Sequence, residues 1–193
     1  MNGLVGGWPW QAAGRFNLRR GGVAALAVVL SLVATGSASA QTRSGSVILG
    51  DPNQEQGVVQ TEQGDGRTVP VTVAGESGRA TAPGDNPDWG RYMYFGLDDA
   101  IARDGFFVAR VEVEYLDEGT GSFGLQYDSN NCTATLGGAY TDLPQVQRTN
   151  SGQWRTATFD LSDARFANRE NGGSDFRLSA GTGDANKLSV QRV

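Results

Sequence analysis

The chain has 193 residues, with 28 glycines, one cysteine and no histidine, and sets 16 basic against 21 acidic side chains for a formal charge of −5. Without histidine, no Ser-His-Asp or Cys-His nucleophile and no His-ligated zinc or iron site can be assembled, and a single cysteine forbids an internal disulfide. An acidic balance without a basic block leaves no surface suited to phosphates, so nucleic acid is not an expected partner.

Residues 1–40 read as an address. Arg15, Arg19 and Arg20 precede the uncharged apolar run of residues 21–36, and Ser37-Ala38-Ser39-Ala40 follows with small side chains suited to cleavage after Ala40. A basic head, a short apolar middle and a small-residue exit are the parts of a secretory signal peptide. The run is shorter than the ~20 residues a membrane anchor wants. A secreted, extracellular or periplasmic product is therefore expected, not embedded in a membrane. Cleavage removes three arginines and no acid, which leaves 13 basic and 21 acidic residues and a net charge of −8.

Beyond Gln41, turn-forming residues recur at short intervals and no long apolar stripe of helical period survives, a pattern of many short strands. Residues 41–56 are polar apart from Val47-Ile48-Leu49 and form either a first edge strand or a flexible leader. Short strands are predicted over Gly57–Thr61 and Thr68–Val73. Pro70 puts the second at an edge or a bulge, since proline cannot donate to a ladder. Gly75–Trp89 reads as loop, Arg91–Leu97 as a strand, and Asp98–Gly105 as a single helical turn.

Phe106–Tyr115 then alternates. Phe107, Ala109, Val111, Val113 and Tyr115 share one face, and Phe106, Val108, Arg110, Glu112 and Glu114 lie on the other, a strand half buried against a second sheet. The turn Asp117–Gly121 and a returning strand Ser122–Asp128 read as a hairpin. After a loop-rich stretch come strands over Val146–Arg148, Gln153–Leu161, Ser174–Ala180 and Lys187–Arg192. The reading is all-β: an antiparallel β-sandwich of jelly-roll type with about eight or nine strands, its domain spanning residues 57–193.

Three stretches carry a resemblance. These are Arg91–Asp99 (RYMYFGLDD), Val111–Ser129 (VEVEYLDEGTGSFGLQYDS) and Trp154–Arg177 (WRTATFDLSDARFANRENGGSDFR). In this order they resemble the carbohydrate-binding-module-like, galactose-binding-like jelly-roll domains of secreted bacterial proteins, over nearly all of the mature chain. The resemblance implies recognition of polysaccharide without catalysis, by aromatic rings laid against the apolar face of a sugar and by loop hydrogen bonds. The aromatic candidates are Trp89, Tyr127 and Tyr140 near loops, with Tyr92 and Tyr94 on one side of their strand. Trp154, at a strand entrance, is assigned to the core. Asn168, Arg169 and Asn171, in the polar loop before Ser174, are the candidate hydrogen-bonding groups, against a turn whose side chains cap their own backbone.

The resemblance also implies a structural calcium. Asp98 and Asp99 with Asp104, or Asp117-Glu118 with Asp128, offer the carboxylate oxygens a hard cation takes. A glycosidase would need two facing carboxylates ~5–10 Å apart. Glu112 and Glu114 are the pair to weigh, and their alternation reads as a charged outer face. Cys132 is either a buried thiol or a link to another chain. The rival functional class is a structural or adhesion-type surface domain that meets a protein partner at a sheet edge.

Overall fold

The computed structural model describes residues 42–86, 90–182 and 186–193. The expected signal peptide over residues 1–40 and the candidate Trp89 lie outside the described residues. Among the described residues the chain forms thirteen strands: β1 (Ser46–Ile48), β2 (Gln54–Gln56), β3 (Val58–Thr61), β4 (Arg67–Val73), β5 (Glu76–Ala82), β6 (Arg91–Leu97), β7 (Phe107–Leu116), β8 (Ser122–Tyr127), β9 (Thr141–Asp142), β10 (Val146–Gln147), β11 (Trp154–Ala164), β12 (Phe176–Ala180) and β13 (Ser189–Arg192). Seven make one sheet, in which β11, β7, β13, β1 and β2 lie in order and β5 joins β13 to β4. The other six make the second sheet, in the order β10, β8, β12, β6, β3, with β9 beside β8. The class is the expected all-β antiparallel sandwich, with thirteen strands in place of eight or nine.

The core lies between the sheets. On β7 the inner face delivers Val113 and Tyr115, both buried, while Val108 on the outer face is 82% exposed. Opposite them, Phe123 and Leu125 of β8 and Met93 and Phe95 of β6 are fully buried. Tyr115 and Phe123 meet edge-on across the layers at 4.8 Å, and Phe95 stacks on its strand neighbour Phe176 within the six-stranded sheet at 5.1 Å. Pro70 sits in β4, which pairs only with β5 and forms an edge of its sheet, so its missing N–H costs no ladder bond.

Two local readings are corrected. Glu76–Ala82 is a strand, not loop. It is built from small residues with little strand propensity, and pairing on both sides by β4 and β13 overrides that deficit. Gly78 is required there, because a Cβ would lie 2.6 Å from the Val190 carbonyl oxygen. Second, β7 and β8 form no hairpin but stand in opposite sheets, so the turn between them carries the chain across the core. Of the two alternatives for residues 41–56, an edge strand or a flexible leader, residues 42–56 follow the strand, with β2 at the edge of its sheet. They supply β1 and β2, and Val47 and Leu49 are fully buried.

The crossover at Asp117 is pinned by its carboxylate, which is fully buried and accepts the hydroxyls of Thr149 and Ser151, each at 2.6 Å, and the Thr149 N–H at 2.6 Å. The Ser151 and Thr149 hydroxyls lead in holding this carboxyl far below the usual carboxylate range, against the opposing pull of burial. A depressed folded-state pKa gives stability that is present above the unfolded value and is lost as pH falls. Asp117→Asn is therefore expected to unfold more readily than the parent at neutral pH, with the gap closing below about pH 4. Urea titrations across pH check this, and a constant gap would contradict it.

Candidate functional site

Alternation along β6 turns Met93 and Phe95 into the core and Tyr92 and Tyr94 onto the outer face of the six-stranded sheet, where they cluster with Tyr140. One cross-strand row on this sheet is fixed by register. Thr61 on β3 faces Tyr94, Tyr94 faces Arg177 on β12, Arg177 faces Gln126 on β8, and Gln126 faces Asp142 on β9. Arg177 is the centre of that row. Its guanidinium lies 3.8 Å from the centroid of Tyr92 and 4.3 Å from that of Tyr140, a cation held between two ring faces. Its Nε donates to Gln126 Oε1 at 2.6 Å, and its Nη1 donates to Tyr94 Oη.

From Tyr94 the network runs outward. Tyr94 Oη donates to Asp65 Oδ2 at 2.9 Å, and Asn171 Nδ2 donates to both Asp65 oxygens at 3.1 Å. The Asn171 backbone N–H returns to Tyr140 Oη at 2.8 Å, which closes the circuit. Arg177 and Asp65 come within 3.7 Å with side chains only 12% exposed. Burial pushes the Tyr94 and Tyr140 hydroxyls up from their ordinary values, Tyr94 donating to Asp65 and Tyr140 accepting from Asn171.

Asp65 and Asn171 also belong to the wall of an open cleft of about 570 Å³, lined by Gln63, Gly64, Asp65, Asp85, Asn86, Asn171 and Gly172. Two turns form it, since the Asp85 N–H donates to the Gly64 carbonyl at 2.6 Å and ties the loop after β5 to that before β4. Gly66, next to Asp65 of the wall, packs on the Tyr94 ring, and a Cβ there would lie 2.5 Å from it. Gly66→Ala must therefore shift the ring. It is expected to unfold at lower urea concentration than the parent, and an unchanged midpoint in urea titration would contradict this.

The other residues singled out in the sequence lie elsewhere. Tyr127 is a core residue, 3% exposed, whose hydroxyl donates to Asp163 at 2.6 Å. Arg169 holds buried Asp128 through Nε at 2.8 Å and caps the Gly137 and Ser129 carbonyls. Asn168 takes a left-handed conformation, and its backbone N–H donates to Asp175. Of the loop trio, only Asn171 reaches the cleft. Trp154 is half-buried at the start of β11, and Cys132 is exposed. Glu112 is exposed, and Glu112 and Glu114 stand opposite Thr158 and Thr156 on β11. Gln63, Asp65, Asp85, Asn86 and Arg177 enter the site unforeseen. The one signal for Arg177 was a charge between two buried hydrophobics, Phe176 and Leu178.

The acids considered for calcium do not converge. Asp98 Oδ1 accepts the Ala100 N–H at 2.8 Å, and Asp99 is paired with Arg103. Among the described residues no three His, Cys, Asp or Glu side chains gather as a metal site. None of the described helices is long and apolar enough to cross a membrane. Comparison with protein-family models, curated proteins and solved structures found no match.

Proposed function

We propose that this protein is a secreted, non-catalytic binder of uncharged carbohydrate, with its site in the cleft beside the Tyr92–Arg177–Tyr140 stack. The observation that carries this reading is the composition of the cleft wall, where Gln63, Asp65, Asp85, Asn86 and Asn171 present amides and carboxylates around an open space. Vicinal hydroxyls of a sugar both donate and accept, and carboxylate and amide groups answer both needs. The charges in the wall already have partners, Asp65 in Arg177 and Asp85 in Arg67 at 2.7 Å, so an uncharged ligand leaves that balance intact. Tyr92, half-buried with Arg177 over its ring, does not line the cleft, so the reading rests on the polar wall.

Calorimetric titration with neutral, uronate and amino-sugar oligosaccharides tests the reading. Binding of neutral glycans is expected, and silence across the whole panel would overturn it. Asn171→Ala removes a donor to a carboxylate in the wall, an interaction worth about 1.5–3 kcal/mol. Neutral-glycan affinity is expected to fall by about tenfold or more.

A second reading, a protein partner added at a sheet edge, is favoured by one observation. The eleven-residue strand β11 ends its sheet, and Phe106 and Val108 beside it are 70% and 82% exposed. Lysines at Thr156 and Thr158 would block strand addition and leave glycan binding unchanged, which separates the two readings.

A further inference from the structure

Glu170, the residue before Asn171, is 4% exposed, and neither of its carboxyl oxygens has a hydrogen-bond partner. A buried ionised carboxylate without donors is among the costliest states a side chain can adopt. The groups that face Glu170 electrostatically are Arg177 on β12, Asp128 after β8, Asp175 before β12, Asp65 in the turn between β3 and β4, and Tyr140 before β9. Three of these are acids. The one cation is already committed to Tyr94, Gln126 and two tyrosine rings.

The short turn Asn171–Gly173 hangs on this residue. The Glu170 N–H donates to the Ser174 carbonyl, and the Gly173 N–H donates to the Glu170 carbonyl, both at 3.0 Å. Gly172 and Gly173 have φ of 67° and 78°, which glycine adopts without strain. Asn171, which closes the cleft wall, is therefore positioned by a turn anchored on a dry acid.

We infer that Glu170 is a protonation switch on the cleft. As a neutral acid it keeps the turn packed and Asn171 on Asp65 and Tyr94, and on losing its proton it leaves the interior and the turn opens. Burial raises its pKa well above the ordinary glutamate value, with Arg177 as the leading opposing influence. A raised folded-state pKa gives stability that is complete below the unfolded value and is lost as pH rises through the folded one. The closed cleft is thus the acid form and the open cleft the alkaline form. Asp175 is also raised by burial, but its carboxylate accepts the Leu97 and Asn168 N–H groups and can ionise in place. The link to binding rests on the cleft being the glycan site, whereas the opening of the turn does not.

Backbone hydrogen exchange at Asn171, Gly173 and Ser174 in the ligand-free protein, compared between about pH 5 and about pH 9, reads the switch directly. Protection factors, corrected for intrinsic exchange, are expected to fall ~10-fold or more across this range in the parent and to stay flat in Glu170→Gln. Glu170→Met, apolar and of similar length, guards against a folding defect in the first variant and is expected to be flat as well. Identical pH profiles in parent and variants would overturn the switch. Loss of protection in the parent alone, without binding of any glycan, would uphold the switch and overturn the carbohydrate reading. Glycan binding whose pH profile is unaltered by Glu170→Gln would uphold the carbohydrate reading and overturn the link between the switch and binding.

Discussion

Asp128→Ala is expected to lower the unfolding free energy by about 3–5 kcal/mol, the cost of stripping one partner from a buried ion pair. Asp128 is fully buried at the end of β8, and its carboxylate gathers the Arg169 guanidinium at 2.8 Å and the N–H groups of Ala167 at 2.8 Å and Arg169 at 3.4 Å. Arg169 in turn donates to the carbonyls of Gly137 at 3.1 Å and Ser129 at 2.6 Å, so the pair staples two loops to one end of the six-stranded sheet. Removing the carboxylate orphans these backbone donors and leaves a cation whose side chain is only 28% exposed. Asp128→Asn keeps the volume but not the charge and is expected to fall between the parent and the alanine variant. Arg169→Ala leaves the buried carboxylate uncompensated and is expected to cost a similar amount. Urea unfolding decides this, and a loss below about 1 kcal/mol for the alanine variant would mean that the pair behaves as an exposed one.

The elements legible in the sequence were those whose partners hardly matter. The alternation from Phe107 to Tyr115 is a property of one strand against any apolar layer, and it predicted the inner face that Val113 and Tyr115 occupy. Pairing choices depend on distant chain. Nothing local in Glu76–Ala82 announces a strand, because its ladder is supplied by residues near 70 and near 190. The turn after Asp117 has a hairpin's length, but whether the chain turns back or crosses the core is settled by Thr149 and Ser151, more than thirty residues away.

The candidate site follows the same division. Tyr92 and Tyr94 were recognisable as sharing one side of a strand. Which side faces the space between the sheets was not, since Met93 and Phe95 are equally apolar and the outer side is itself covered, leaving Tyr94 fully buried. Asp65, between two predicted short strands, meets Asn171 across 106 positions of sequence. Glu170 looked like one more polar loop residue, and only the packing of the chain around it removes its solvent.

Arg177→Ala is expected to abolish glycan binding and to cost about 2–4 kcal/mol of stability, from a charged hydrogen bond and a desolvated cation–π contact. Without the guanidinium, Tyr92 and Tyr140 lose what lies between them, and Asp65 loses its nearest cation while keeping the Tyr94 and Asn171 donors. Arg177→Lys discriminates charge from shape. An ammonium restores the charge near Asp65 but cannot stack as a plane between two rings while also donating to Gln126 and Tyr94. If stacking and the fork set the site, the lysine variant regains part of the stability and little of the affinity. Recovery of both by lysine would show that a point charge suffices, and the aromatic sandwich would then be packing alone. Glu170 supplies an internal check. Arg177 is the group that restrains the rise in its pKa, so loss of Arg177 should drive Glu170 further toward the neutral acid and move the opening of the Asn171 turn to higher pH. An unmoved transition in the Arg177→Ala protein would show that guanidinium and carboxyl do not sense one another.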